Sequence, residues 1–252
     1  MRAEQEGISF VQGFEGTEVT LDSSAEPPFY FPRQTWVIAE KLVEWNSRMT
    51  QAGAHGTMRP YAAGKFLCYP IQDPSKVAFM RIYLQIPFID TEFIKAEDRA
   101  KQAVPPTEPT ELVALKEFKL KNCAVPDLLG YQNGVQGSDG LVPGGELNYV
   151  IWDQVPGEPL RAEIFWRMDY SRREKFRARF REICLQLMQA GYFPWGNTME
   201  DIIYDQFSGE MYVLSAFQPW KVGWTAALAT NHPQAYLRSL EGLRRQGRKG
   251  VG

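Results

Sequence analysis

Histidine is nearly missing from this chain, with only His55 and His232 among 252 residues. One lies in a glycine-flanked stretch and the other beside Pro233, so neither a histidine-based metal site nor a Ser-His-Asp triad is expected. Cysteine is almost as scarce. Cys68, Cys123 and Cys184 are odd in number, far apart and outside any Cys-x-x-Cys spacing, which fits buried thiols in a reducing, cytoplasmic setting. An excess of one charge is lacking too: 28 Lys and Arg stand against 30 Asp and Glu. That balance gives no electrostatic reason to expect nucleic acid or an anionic membrane as partner. No apolar run approaches the roughly 20 residues of a membrane span. The opening MRAEQEGISF carries two early acidic residues and no hydrophobic signal core, so no secretory leader is expected.

What is present is an ordinary globular composition. A hydrophobic content of 44% can fill a substantial core, in one large domain or in two lobes sharing a cleft. Residues 1–34 mix polar residues, Gly and Pro, and PPFYFPR (Pro27 to Arg33) reads either as an extended arm docking its aromatics or as disorder. Between Thr35 and Thr50, Val37, Ile38, Leu42, Trp45 and Met49 fall near helical spacing, which predicts an amphipathic helix. His55 to Ile71 and Asp73 to Pro87 read as two strands around an Asp73-Pro74-Ser75 turn, a hairpin pattern. Leu112, Leu115 and Phe118 share one face of a helix for which Thr110 is the expected N-cap. Strands follow at Leu128 to Gln132 and Leu147 to Val155, the second ending in Val155-Pro156-Gly157, a turn suited to linking two lobes. Asp169 to Ala190 is the clearest helix, with Ser171 and Glu174 as a capping box, Phe176, Phe180, Ile183, Leu187 and Met188 as the buried stripe, and Gly191 just past its end. A polar loop is then expected to Asp201, a strand at Ile202 to Asp205 and its partner at Met211 to Leu214. The tail bearing Arg244, Arg245, Arg248 and Lys249 is glycine-rich and reads as a solvated, frayed end.

This order of elements resembles the kinase-like superfamily of aminoglycoside and choline phosphotransferases, and among them the short, degenerate kinase-like proteins of filamentous fungi. The resemblance is carried by PDLLGY (Pro126 to Tyr131), VPGG (Val142 to Gly145), VIWDQVPGEPL (Val150 to Leu160) and the stretch Ala190 to Trp220, through their order and spacing. It implies an α+β, kinase-like bilobal fold: a small antiparallel β lobe with one helix (residues 35–155, after an arm at 1–34) and a truncated, mainly helical second lobe (residues 156–252). Position by position, the strand lysine of that family corresponds to Arg81 and its helix carboxylate to Glu111. The adenine-bonding hinge corresponds to Trp152 through Val155. Where the family reads His-Gly-Asp this chain has Pro194-Trp195-Gly196, with Asp201 at the later Asn position. Where the family reads Asp-Phe-Glu or Asp-Phe-Gly, this chain has Ala216-Phe217-Gln218.

These departures bear on chemistry. Phosphoryl transfer needs a carboxylate to orient the attacking hydroxyl and oxygen ligands to hold Mg²⁺ on the phosphates. Gly196 supplies neither, and Ala216 has no oxygen to bind a metal. A general base alone is worth roughly 10²–10⁴ in rate, with the metal clamp in addition. In place of acids the region gathers Trp195, Phe217, Trp220 and Trp224. Phe217 and Trp224 read first as core, whereas Trp195 and Trp220, flanked by Asn197 and Lys221, divide evenly between core and pocket.

Three functions follow from that pattern. The first is a cofactor-independent, metal-free cyclase that binds a hydrophobic small molecule and directs a pericyclic, Diels–Alder-type closure in fungal secondary metabolism. In it Trp195, Phe217, Trp220, Trp152 and Glu111 shape the substrate site, and Arg81, Asn197, Asp201, Gln218 or Lys221 supply the polar contact. Against this stand simpler roles: Arg81 with Glu111 as a structural ion pair, and Asp201 as a loop cap. The second function is a non-catalytic, pseudokinase-like module for a protein partner. The third is a residual small-molecule phosphotransferase using Asp201.

Overall fold

The computed structural model describes residues 9–54, 58–121, 123–195, 199–214 and 216–219. In chain order the elements are β1 (Glu18–Leu21), β2 (Gln34–Ser47), β3 (Tyr61–Pro70), β4 (Ala78–Gln85), α1 (Ala96–Ala100), α2 (Thr110–Leu120), β5 (Leu128–Val135) and β6 (Glu146–Asp153). They continue with β7 (Glu158–Pro159), α3 (Ala162–Arg167), α4 (Tyr170–Gln189), β8 (Tyr192–Trp195), β9 (Ile202–Tyr204), β10 (Met211–Val213) and β11 (Ala216–Pro219). This is a mixed α/β chain with antiparallel sheets and few helices. It divides into two compact units, Met1–Pro109 with Leu128–Gln154, and Thr110–Asp127 with Val155–Gly252. Helix α2 therefore groups with the second unit, although it falls between β4 and β5 in sequence.

The first unit is built on a six-stranded sheet in the order β1-β2-β3-β4-β6-β5, antiparallel throughout. The β3–β4 hairpin forms as its alternation predicts, and its turn is held by Asp73 Oδ1, which accepts from Ser75 N (3.2 Å) and Ser75 Oγ (2.6 Å). Thr35 to Thr50 does not form the helix that its spacing predicts. Residues 34–47 are strand β2, hydrogen-bonded to β1 on one side and β3 on the other. Two register shifts interrupt its pairing with β3, between Ile38 and Glu40 and between Lys41 and Val43. Each inserts an extra residue. Of the residues at near-helical spacing, Ile38 is buried in the core, Leu42 is exposed and Trp45 lies on the opposite face beside Arg81, so they share no stripe. Pairing on both edges then overrides the helix propensity of Ala, Glu, Lys and Leu.

Alternation sends one set of side chains to each face. Phe66, Met80 and Ile151 are cross-strand neighbours on the apolar face, joined by Trp36, Ile38, Ile82 and Leu84 in a single core. Phe10 and Val11 close that core from the N-terminal segment. Gly64 is what admits them, since a Cβ there would lie 2.8 Å from Val11 Cγ1. Glu44 fastens the same segment, accepting from Ser9 Oγ (2.6 Å), Phe10 N (2.7 Å) and Lys41 Nζ. Within the stretch read as an arm, β1 is an edge strand of the sheet, and Phe31 packs edge-to-face on Tyr131 of β5 at 5.8 Å. Tyr131 also bonds Ser24 Oγ (3.1 Å) and Glu26, so this arm is docked.

In the second unit α2 buries Leu112, Leu115 and Phe118, and α4 buries Phe176, Phe180, Ile183 and Leu187 as predicted. Cys184 completes that stripe, while Met188 is half-buried. The capping box is corrected: the N-cap is Asp169, whose Oδ1 accepts from Arg172 N at 2.8 Å. The helix begins at Tyr170, which leaves Ser171 already inside the first turn. Gly191 ends the helix at φ +94°, a conformation that suits glycine. Beyond it the expected polar loop contains β8, paired antiparallel with β11. The β9–β10 hairpin pairs Ile203 with Tyr212. No helix among the described residues is long and apolar enough to cross a membrane.

Candidate functional site

The opposite face of the six-stranded sheet is of a different kind. Lys65 on β3 and Arg81 on β4 stand directly opposite each other, an arrangement of like charges that by itself disfavours pairing. Three aromatic rings offset it. Lys65 Nζ lies 4.2 Å from the centre of Phe79 and 6.0 Å from that of Trp152. Arg81 Cζ lies 4.7 Å from the centre of Trp45 and 5.1 Å from that of Trp152. The guanidinium is thus shared by two indoles, and each such contact is worth about 0.5–2 kcal/mol, the higher end applying to desolvated cations. Phe79 and Trp152 are themselves cross-strand partners with ring centres 6.1 Å apart. Arg81 and Trp152 are both buried.

One end of this face is polar. Glu146 on β6 is buried and accepts from Arg59 Nε (2.5 Å), Thr107 N (3.1 Å) and Asn148 Nδ2 (2.7 Å). Asn148 Nδ2 also donates to the Thr107 carbonyl at 2.9 Å. The effect is to pin the long connection after β4 to the sheet.

The predicted site residues are distributed as follows. Arg81 and Trp152 are brought together on the sheet face of the first unit. Glu111 belongs to the second unit, buried in the first turn of α2, where a carboxylate suits the helix dipole. Asp201 ends a 3₁₀ turn at Met199–Asp201 and its carbonyl accepts from Leu214 N at 2.7 Å. Phe217 is core: its ring lies 4.7 Å from Phe118 in an edge-to-face contact, beside Tyr192 against the same ring. The backbones of Trp195 and Gln218 are in β8 and β11, but their side chains lie outside the described part. Gly196, Asn197, Trp220, Lys221 and Trp224 lie outside the described residues altogether. The sequence reading missed Lys65, Phe79 and Asn148, and it placed Trp45 on a helix. A strand period extended through β2 would have signalled Trp45.

Burial pushes the Cys68 and Cys184 thiols up to about 12, and a thiol held that high is a poor nucleophile near neutral pH; burial also raises the partly covered Cys123, against the opposing charge of Lys121. Among the described residues no group of three or more His, Cys, Asp or Glu is placed to hold a metal ion.

No protein-family model matches the chain, and no curated protein matches it. Among solved structures it is similar to the kinase PK-1 of the Cydia pomonella granulovirus, at 12% identity and a TM-score of 0.42. That match covers 73% of this chain and 52% of the viral kinase, so this chain spans about half of that protein's length.

Proposed function

We propose that this chain is a kinase-like protein released from phosphoryl transfer, which holds an apolar small molecule and directs its cyclisation. The kinase-like part is supported by element order: three antiparallel strands, a helical connection and two further strands complete one sheet, with Arg81 on the third strand of the β2–β3–β4 run. In protein kinases the corresponding strand carries the lysine that pairs with nucleotide phosphates and the helix glutamate.

The observation that carries the rest is the state of Arg81, whose guanidinium lies between the rings of Trp45 and Trp152. A guanidinium offers a planar, weakly hydrated face to aromatic rings, a role lysine fills poorly. With Gly196 and Ala216 where the kinase-like resemblance would put the two catalytic acids, the reaction that fits this reading is one needing neither base nor metal. Ring closure within one bound molecule is of that kind: it needs a folded conformer and a hydrogen bond to polarise a carbonyl. Within the second unit this reading assigns Trp195 and Trp220 to shaping the substrate and Asn197, Asp201, Gln218 or Lys221 to the polar contact.

The test is a melting-temperature comparison followed by product analysis. A panel of unsaturated lipophilic metabolites should contain at least one that raises the melting temperature by mass action, and that compound should be converted to an isomer of the same mass. A panel without effect, together with a rise on adding ATP and Mg²⁺, sinks the proposal.

A further inference from the structure

The β9–β10 hairpin ends in a turn that holds one side chain out into solvent. Asp205 Oδ1 accepts from Phe207 N (2.9 Å), Asp205 Oδ2 from Ser208 Oγ (2.6 Å), and the Asp205 carbonyl from Gly209 N (2.9 Å). On this frame Phe207 is fully exposed. An aromatic ring fixed in this way suits an interface anchor, because little freedom remains to be lost when a partner covers it. Its setting is acidic. Residues 199–214 contain Glu200, Asp201, Asp205 and Glu210 and no Lys or Arg, and Glu158 on β7 stands opposite Tyr204. The complementary surface is therefore one that is apolar at its centre and basic at its rim.

Helix α4 carries such a surface. Lys175, Ala178, Arg181 and Leu185 are exposed and, three or four residues apart, follow one another along its solvent side over about 15 Å. The acids of the same side are already paired, Glu174 with Arg177 and Glu182 with Arg179. Lys175 and Arg181 have no carboxylate partner among the described residues. Ala178, small and exposed, separates these two cations, and Leu185 lies one turn beyond Arg181. We propose that the hairpin tip and the solvent side of α4 are the two halves of a self-association surface. Phe207 of one copy seats on Ala178 and Leu185 of a second copy, with Glu158 and Glu210 against Lys175 and Arg181. Both halves belong to the second unit, and in a two-fold pair the contact is made twice. This association is independent of the small-molecule reading above.

Sedimentation velocity on the full chain tests this with two charge-reversed proteins. One carries Glu158→Lys with Glu210→Lys, the other Lys175→Glu with Arg181→Glu. The wild type should dimerise with a Kd of about 10 μM, the range of a small transient interface, and more weakly as salt is added. Each reversed protein alone should be monomeric. Their equimolar mixture should recover dimers, since each hairpin then meets a helix of opposite charge. Phe207→Ser should weaken dimerisation by about tenfold or more, as loss of an interface anchor does. Every substituted position is exposed, so the variants should melt with the wild type. A wild type still monomeric at about 100 μM, ten times the expected Kd, overturns the proposal in favour of a different basic partner. A mixture that stays monomeric overturns it too, as does a Phe207→Ser protein that dimerises like the wild type.

Discussion

The two faces of the six-stranded sheet differ more than any two regions of the sequence. On β4, Met80 and Ile82 point into a core made only of apolar side chains, while Phe79 and Arg81, their immediate neighbours, enter a layer of two cations and three aromatic rings. The first face is what the hydrophobic effect alone would build. The second costs more to assemble, since it buries a guanidinium and leaves enclosed polar atoms on Asn148 and Trp152 without partners among the described residues. Stability explains the apolar face completely. It does not explain the mixed face, and a surface that the fold tolerates at a cost is where function is to be sought.

That contrast can be broken most sharply with a pair of truncations. Phe66 is wholly buried on the apolar face, and Phe66→Ala should cost about 3–5 kcal/mol in a denaturant melt. Phe79 is half-buried on the other face, and Phe79→Ala should cost about 1–2 kcal/mol, in proportion to the area it hides. Equal costs would erase the distinction between the faces. A finer probe is Arg81→Lys, which keeps the charge and loses the planar stack on two indoles. It should destabilise by about 1 kcal/mol, and a neutral result would show that the stacking contributes nothing.

The smallest expected effect concerns the segment that closes the apolar face. Burial by itself would raise the Glu44 carboxyl, but hydrogen bonds from Lys41, Ser9 and the Phe10 N–H outweigh it and hold the group below its ordinary value. A depressed carboxyl contributes stability that is present above its unfolded pKa, about 4.3, and is lost as pH falls through the lower, folded value. Glu44→Gln should therefore flatten the acid limb of the stability profile and speed amide exchange at Phe10 and Val11. An unchanged acid limb would mean that Glu44 is not the latch.

How much of this was legible beforehand depended on whether a residue's neighbours were set by local period or by distant pairing. Helix α4 and the β3–β4 hairpin were readable because their stripes of Phe176, Phe180 and Ile183, or of Phe66 and Met80, keep one period from end to end. Strand β2 was not, because Val37, Ile38, Leu42 and Trp45 fall near a helical period in sequence although Leu42 is exposed and Trp45 and Ile38 lie on opposite faces. Strands β8 and β11 were hidden by their brevity and by Pro194, which lacks the N–H that marks a central strand. At the site, Arg81 and Trp152 were named from the resemblance alone. Their clustering with Trp45, Lys65 and Phe79 is a product of strand order that no local pattern encodes, and Asn148 had no motif to announce it.

The central proposal is that this chain, whose Arg81 lies against Trp45 and Trp152, does not carry out phosphoryl transfer. Calorimetric titration of the purified chain with ATP and Mg²⁺, followed by an assay for released phosphate, tests it directly. The account predicts no measurable heat of binding and no phosphate above the uncatalysed rate. Saturable micromolar binding that Arg81→Lys preserves, or magnesium-dependent turnover, would contradict it.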